Sequence, residues 1–335
     1  MERACYQSPI RAMIAPHGIH NRTTTPRRAL TLHHHYHVGG LTLASTLELP
    51  NLRAIAPPPA ADITIAPGEV PERFANPTAS GPTYQIEGQR FLLNVPQVGR
   101  YLVEEGCRIT YQVAPATPTA NLALFLLGSA LGACLMQRGL VPLHASVVNL
   151  HGQAVAFTGP SGAGKSTLAA WLHHHHAAPV LCDDVAILRI DQQGTPWAYP
   201  GAIRMKLWAD ALHALGLDPA TLPKAHSELE KYHTPISEPP LEPLPLRRIY
   251  LLHRSDSAHP PGIHPVAAQQ AVALLREQSY RPLFLSAMGL TKAHYLHCVA
   301  LARAVTLHRF HRPIDHQQWP QGLALLHAHL EQERS

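Results

Sequence analysis

The chain has 335 residues, long enough for a large hydrophobic core and for two domains. With 46% hydrophobic and 15% charged residues, its composition is that of a globular protein and excludes a wholly disordered one. Its 27 basic and 22 acidic residues, a formal charge of +5, are scattered without a basic run interleaved with aromatics, which argues against a nucleic-acid-binding protein.

Cysteine usage and the apolar segments indicate the compartment. Five widely spaced cysteines without a Cys-x-x-Cys pair predict neither a disulfide framework nor a zinc site. No signal-peptide pattern opens the chain, and the most apolar run, 122–136, is short for a membrane span, so it is predicted to be a buried helix. We therefore expect a cytoplasmic protein with no membrane partner, and the sequence leaves monomer and homo-oligomer open.

The first residues carry little patterning. Residues 1–30 lack a sustained apolar period and are predicted to form a flexible leader. The histidines that follow, His33–His35 and His37, could bind a metal. Four histidines without a carboxylate or cysteine partner are, however, more typical of a solvated polar stretch.

Alternating apolar and polar residues then predict half-buried strands. The strands lie at 41–49, 62–65, 83–86, 90–95, 100–103 and 108–113. No helix-length apolar period separates them, which argues against βαβ units. Residues 31–115 are therefore predicted to form a small, mostly β N-terminal domain.

A helix and a hairpin follow the proline-rich linker at 114–119. The helix is predicted from Thr119, a candidate N-cap, to about Arg138, with Gly139 as its stop signal. Two apolar segments, 141–149 and 153–157, then flank His151 and Gly152, which predicts a two-residue hairpin turn.

This hairpin fixes a register that can be checked. Antiparallel pairing around a two-residue turn sets Leu150 opposite Gln153 and Val148 opposite Val155. The same register sets His144 opposite Gly159. His144 is therefore expected at the mouth of the glycine-rich loop that starts there, with an ordinary strand-end histidine as the alternative.

That loop, residues 159–166, reads Gly-Pro-Ser-Gly-Ala-Gly-Lys-Ser and fits the phosphate-loop pattern Gly-x-x-x-x-Gly-Lys-[Ser/Thr]. A short apolar strand precedes it and helix-forming residues follow it, as the motif requires. In such a loop the backbone N–H groups surround phosphate oxygens, the lysine contacts the β- and γ-phosphates, and the serine ligates Mg²⁺. The predicted ATP and Mg²⁺ site comprises Gly159, Pro160, Ser161, Gly162, Ala163, Gly164, Lys165, Ser166 and Thr167.

Charged residues downstream could complete this site. A short apolar strand, 179–182, ends at Asp183 and Asp184, and strand carboxyl ends face the ligand crevice in α/β sheets. Adjacent carboxylates at a surface turn are the alternative. Arg204, Lys206 and Lys231 are candidate phosphate contacts, with solvent-exposed cations as the alternative.

The remaining patterns alternate between strand and helix and predict an α/β fold. Strands are predicted at 186–191, 196–199, 249–252 and 305–310, and helices at 210–217, 265–275, 288–304 and 319–330.

The run from Leu143 to Asp184 resembles the catalytic core of HPr kinase/phosphorylase. His144 lies fifteen residues before Gly159, and Asp183 lies eighteen residues after Lys165, as in that family. The resemblance implies a P-loop kinase fold for residues 116–335, related to ATP-dependent phosphoenolpyruvate carboxykinase. Sequence segments such as Arg-Gly-Leu-Val-Pro-Leu-His-Ala-Ser also resemble those of HPr-kinase-like proteins from lasso-peptide and related natural-product clusters. Some proteins of that group phosphorylate a serine of a precursor peptide.

The resemblance implies a role for each matching residue. Asp183 would accept the proton of the acceptor hydroxyl and His144 would orient Asp183. Lys165 would neutralise the phosphates, while Ser166 and Asp184 would hold Mg²⁺. The family's later Glu-Ile-Arg-Gly-type signature corresponds to residues 201–204, Gly-Ala-Ile-Arg, which lack its acid and thus give no support to a second metal ligand or to phosphorylase activity.

Three functions stay open from the sequence. The first is an ATP-dependent kinase acting on a serine of a peptide or small protein, and the second is an NTPase or small-molecule kinase on the same core. The third is a non-catalytic nucleotide-binding regulatory or assembly protein. His144 and Asp183 favour an enzyme, because nucleotide binding alone needs no base. The N-terminal domain is expected to recognise the acceptor, because the phosphate-handling motifs lie after residue 140.

Overall fold

The described part of the chain is a mixed α/β protein with two large sheets. The computed structural model describes residues 32–203, 205–224, 230–234, 236, 241–313 and 318–332. The predicted leader, residues 1–30, and the candidate phosphate contact Arg204 lie outside the described residues.

Nine strands of the described chain form the first sheet. They are β1 His34–Val38, β2 Leu41–Ser45, β3 Arg53–Ala54, β4 Ile63–Pro67, β5 Ala79–Ser80, β6 Tyr84–Glu87, β7 Arg90–Val95, β8 Gly99–Glu104 and β9 Arg108–Val113. Their spatial order is β3-β1-β2-β4-β9-β8-β7-β6-β5. The pairs β2–β4 and β4–β9 are parallel, yet no helix lies among the described residues between their strands, so the expected absence of βαβ units is confirmed.

A long helical segment packs against this sheet. It consists of α1 Thr119–Phe125, a π-helical turn Leu126–Ala130 and α2 Leu131–Gln137. By length and composition it could cross a membrane, but 67% of its most apolar window is buried inside the protein. The prediction of a buried helix for 122–136 is therefore confirmed.

The predicted N-cap of this helical segment is wrong, and the predicted end of the segment is confirmed. Thr119 is not the N-cap: the extended Pro118 holds that position, and no side chain caps the helix start. At the other end Gly139 has φ 78°, and the N–H groups of Gly139 and Leu140 bond to carbonyls of the last turn. This closure needs a left-handed residue, which glycine adopts at low cost, so the predicted stop is confirmed.

The second half of the chain supplies ten strands, six α-helices and the 3₁₀ turn Pro219–Thr221 to the described structure. The strands are β10 Ala145–Leu150, β11 Gln153–Thr158, β12 Val180–Cys182, β13 Ile187–Ile190, β14 Pro196–Tyr199, β15 Lys206–Trp208, β16 Lys231–His233, β17 Leu244–Arg254, β18 Gly262–Pro265 and β19 Thr306–Arg312. The helices are α3 Lys165–His176, α4 Ala209–Ala214, α5 Ala268–Glu277, α6 Pro282–Ala287, α7 Thr291–Ala304 and α8 Trp319–Gln332. All strands but β15 and β16, which pair with each other, belong to the second sheet.

The β10–β11 hairpin has the predicted register. Leu150 pairs with Gln153, and the pairing continues to Ala145 and Thr158. His151 and Gly152 both have positive φ, 55° and 81°, which is the signature of a type I′ turn. His144 therefore lies one residue beyond the last pair, next to the start of the glycine-rich loop.

Strand direction gathers four strand ends at one edge of the second sheet. β10 is antiparallel to both β11 and β12, so β11 and β12 run in the same direction. β17 is parallel to β11, and β19 is parallel to β17. The carboxyl ends of β11, β12, β17 and β19 thus share an edge, which is where ligands bind in sheets of this kind.

Helices cover both faces of the second sheet. On one face, α3 and α8 pack onto a core that includes Phe157, Tyr250 and Phe310. On the other face, α5 and α7 pack onto a core that includes Ala156 and Ile249. A further core joins the two halves of the chain: it contains side chains of the first sheet, of the 119–137 helical segment, of β13 and of α6.

Phe91 is a sensitive probe of this shared core. Its side chain is fully buried on β7, and its ring centroid lies 4.7 Å from that of Phe284 on α6. We expect Phe91→Ala to lower the free energy of unfolding by about 3–5 kcal/mol. Leu283→Ala is the control, because it removes a neighbouring side chain that is 71% exposed. It should change the free energy of unfolding by less than about 0.5 kcal/mol.

Tryptophan fluorescence makes this test report on the other half of the chain. All four tryptophans lie in the second half, at Trp171, Trp197, Trp208 and Trp319. If the shared core couples the two halves, the denaturant transition seen by tryptophan fluorescence shifts in Phe91→Ala. An unshifted tryptophan transition, with loss of β structure elsewhere, would show that the halves unfold independently.

Candidate nucleotide and phosphotransfer site

The glycine-rich loop lies between β11 and α3, the order that a phosphate loop requires. Gly159 has φ 137°, and a Cβ there would lie 2.8 Å from the carbonyl oxygen of Leu252 on β17, so the close approach of the two backbones needs glycine. The first bond of helical spacing runs from Leu168 N–H to Gly164 C=O. The N–H groups of residues 165–167 therefore belong to the unpaired first turn of α3, where the positive end of the helix dipole favours an anion.

Lys165 lies folded against the loop itself. Its side chain is 7% exposed, and its Nζ donates to the carbonyl oxygens of Gly159 at 2.9 Å and of Pro160 at 3.2 Å. Burial lowers the pKa of Lys165, and the carboxylates of Asp183 and Asp184 oppose that effect. The ammonium group is thus held in the crevice beside two negative charges, where a phosphate would enter.

Asp183 bonds to both walls of this crevice. It is 3% exposed at the end of β12, and its Oδ1 accepts from Ser146 Oγ on β10 at 2.5 Å. Ser166 Oγ at the start of α3 donates to the same carboxylate, with distances of 2.9 and 3.1 Å to its two oxygens. Two hydroxyl donors can satisfy a buried carboxylate, which is costly to bury without partners.

The predicted pairing of His144 with Asp183 is corrected by the structure. His144 Nε2 lies 3.3 Å from Asp184 Oδ1, and both side chains remain partly exposed, 35% and 40%. Asp184 has φ 77°, so the chain turns immediately after β12 and carries this carboxylate away from the direction of Asp183. Hence Asp183 contacts Ser166 inside the crevice, and Asp184 contacts His144 at the mouth of the crevice.

The donors inside the crevice suit Mg²⁺. Ser166 and Asp183 bring hydroxyl and carboxylate oxygens together, and Mg²⁺ prefers such hard oxygen ligands. The described residues contain no cluster of three or more His, Cys, Asp or Glu side chains arranged for a metal. Mg²⁺ at nucleotide sites needs none, because it takes one or two protein carboxylates and completes its shell with phosphates and water.

The basic residues predicted to contact phosphate differ in their distance from the loop. Lys231 on β16 lies close enough to Lys165 to lower the pKa of Lys165, and its Nζ lies 5.5 Å from the ring centroid of Trp208. Lys206 lies on β15, opposite His233. The structure therefore places Lys231 near the phosphate loop, while Arg204 lies outside the described residues.

The chain is distantly similar to solved structures. No family model and no curated protein matches this chain. Among solved structures, the chain is similar to the HPr(Ser) kinase/phosphatase from Coxiella burnetii, with 13% identity over 58% of this chain and 99% of that chain, at a TM-score of 0.30. A similarity this weak carries no argument about function, which rests on the residues described above.

Sequence reasoning missed two residues at this site. Ser146 holds Asp183, and Arg312 at the end of β19 donates from Nη2 to the carbonyl oxygen of Ala163 in the loop at 2.7 Å. The rule that carboxyl ends of parallel strands meet at one edge places Arg312 here only once β19 is known to pair with β17, and sequence patterns do not show that pairing. Ser146 carries no comparable signal, because it is one polar residue within an apolar strand.

The same edge carries stacked histidine rings that the sequence did not indicate. The ring centroid of His311 on β19 lies 5.2 Å from that of His253 on β17 and 5.1 Å from that of His259, with the planes nearly parallel. Burial lowers the pKa of His253 and of His311. These rings therefore favour the neutral form and act here as packed aromatic groups.

Ser146→Ala tests how far the buried carboxylate depends on its donor. Removing a hydrogen bond to a buried charged group should lower the free energy of unfolding by about 1.5–3 kcal/mol. Ser45→Ala is the control: Ser45 is also buried, but its Oγ accepts from the neutral backbone N–H of Leu47, so a loss of about 0.5–1.5 kcal/mol is expected. Chemical denaturation at pH 7 measures both, and equal losses would contradict the special role given to Asp183.

Proposed function

We propose that this protein is an ATP-dependent kinase that transfers the γ-phosphate of Mg·ATP to a hydroxyl group. The observation that carries the proposal is that two adjacent carboxylates occupy different positions in the site. Asp183 lies inside the crevice with the phosphate-loop serine, Ser166, and Asp184 lies at the mouth with His144. A nucleotide-binding protein without chemistry needs the first arrangement but has no use for the second.

The residues of the crevice would bind and neutralise the nucleotide. The loop N–H groups and Lys165 would hold the β- and γ-phosphates, with Lys231 as an additional positive charge. Ser166 and Asp183 would hold Mg²⁺, which when bound offsets the charge that develops on the phosphates. In this proposal Asp183 takes the metal-binding role that the sequence suggested for Asp184.

The mouth of the crevice would carry out the proton transfer. The acceptor hydroxyl oxygen attacks the γ-phosphorus, an oxygen–phosphorus bond forms, and the bond from that phosphorus to the β–γ bridging oxygen breaks, leaving ADP. The hydroxyl proton passes to the Asp184 carboxylate, which His144 positions. Asp184 thus replaces Asp183 as the proposed base, because Asp183 is buried and already accepts from two hydroxyls.

We extend the proposal to a serine of a peptide or small protein as the acceptor. The half-exposed mouth supports this choice, because His144 and Asp184 are open to solvent rather than enclosed around a small molecule. The resemblance to kinases of natural-product clusters makes a ribosomally made precursor peptide the first acceptor to test.

Two asparagine variants separate the roles of the carboxylates. Asp184→Asn should still bind Mg·ATP but lose phosphotransfer by about 10²–10⁴-fold, the usual contribution of a general base. Asp183→Asn should weaken Mg²⁺-dependent ATP binding instead, and Lys165→Ala should abolish transfer and weaken binding. Calorimetry with Mg·ATP and transfer of label from ATP to serine-containing peptides measure the two effects.

Asp256→Asn is the matched control for this experiment. Asp256 also pairs with a histidine, His259, at 3.2 Å, but in the loop after β17. It should leave both binding and transfer unchanged. Near-normal transfer by Asp184→Asn would remove Asp184 as the base, and label released by the wild type only as inorganic phosphate would make the protein a hydrolase.

A further inference from the structure

Arg312 lies directly behind the phosphate loop. The guanidinium group donates from Nη2 to the carbonyl oxygen of Ala163 and packs on the other side against Trp319, with Cζ 5.6 Å from the ring centroid. A Cβ at Gly164 would lie 1.8 Å from the same Nη2. The third glycine of the loop therefore leaves space for the arginine as well as adopting its own φ of 85°.

The charge of Arg312 has no counter-charge within the described protein. The residue is 7% exposed, it forms no ion pair with a carboxylate of the described residues, and its buried Nε has no hydrogen-bond partner there. Burial lowers the pKa of Arg312 to about 10, so the group is still protonated at neutral pH. A buried charge without a partner is expensive, and perturbed groups of this kind concentrate at functional sites.

Lys165, the second cation that contacts the loop, differs from Arg312 in having acidic neighbours. Two carboxylates, Asp183 and Asp184, act on Lys165 from within the crevice. Arg312 contacts the loop at the carbonyl oxygen of Ala163, where the described residues provide that carbonyl and an aromatic ring but no acid. Among the described residues, the positive charge of Arg312 therefore meets no acid, although it contacts the loop that forms the predicted anion site.

We propose that the phosphates of the bound nucleotide supply the counter-charge of Arg312, and that Arg312 is a positioning residue of the phosphate loop. Its bond to Ala163 C=O holds that carbonyl outward, which leaves the loop N–H groups facing the ligand. Its charge attracts the phosphates through the loop, in a region where water screens poorly. This inference rests on the proposed nucleotide site.

The test compares stability without ligand and affinity for ligand. Arg312→Leu removes the charge and keeps an apolar side chain, and Arg312→Lys keeps the charge. Because an unpaired buried charge is removed, Arg312→Leu should unfold at a temperature no lower than the wild type in the absence of ligand. Its affinity for Mg·ADP and for inorganic pyrophosphate, measured by calorimetry, should fall about tenfold to a hundredfold, the loss expected for an interaction with a charged group.

Two further variants complete the comparison. Arg312→Lys should recover most of the affinity. Arg254→Leu is the matched control, because Arg254 pairs with Arg312 across β17 and β19 but is exposed to solvent. Its affinity should stay within about twofold of the wild type, since exposed charges are screened.

Each other outcome contradicts the inference in a recognisable way. Wild-type affinity in Arg312→Leu would overturn the role of Arg312 while leaving the nucleotide site intact. A variant that fails to fold or melts well below the wild type, with Arg312→Lys folded and binding normally, would show that the guanidinium serves the fold rather than the ligand. If the wild type binds neither Mg·ADP nor pyrophosphate, the proposed function and this inference fall together.

Discussion

The carboxylate of Asp183 is the constraint on which the site depends. It accepts from Ser146 on β10 and from Ser166 on α3, and it ends β12, so one buried anion joins two adjacent strands to the helix of the phosphate loop. A buried carboxylate is stable only while such donors surround it. The ends of β10 and β12 and the start of α3 are thus joined through one side chain.

The first sheet contributes to this arrangement although it lies far from the loop in sequence. Gly39 N–H donates to Pro200 C=O, and Asn51 exchanges two hydrogen bonds with Ile203. In the same segment, Ala202 C=O accepts from Asp183 N–H at 3.0 Å. The N-terminal strands therefore hold the segment that bonds to the Asp183 backbone, which gives them a structural part in the site beside the acceptor recognition that we expect of them.

The parts of the site that follow from local sequence could be predicted, and those set by distant pairing could not. The hairpin register follows from a two-residue turn, so it placed His144 correctly beside Gly159. The choice between Asp183 and Asp184 depends on the positive φ of Asp184, which adjacent identical residues do not reveal. Arg312 meets the loop through β17 and β19, and sequence patterns do not indicate such long-range strand order.

The most direct test of the account is a crystal structure of the protein with Mg²⁺ and a non-hydrolysable ATP analogue. We expect the β-phosphate on the N–H groups of the loop, the cation at Ser166 and Asp183, and the γ-phosphate facing the pair formed by His144 and Asp184. A nucleotide bound elsewhere would contradict the phosphate-binding role of the loop. A cation held by Asp184 away from Ser166 would contradict the division of labour between the two carboxylates.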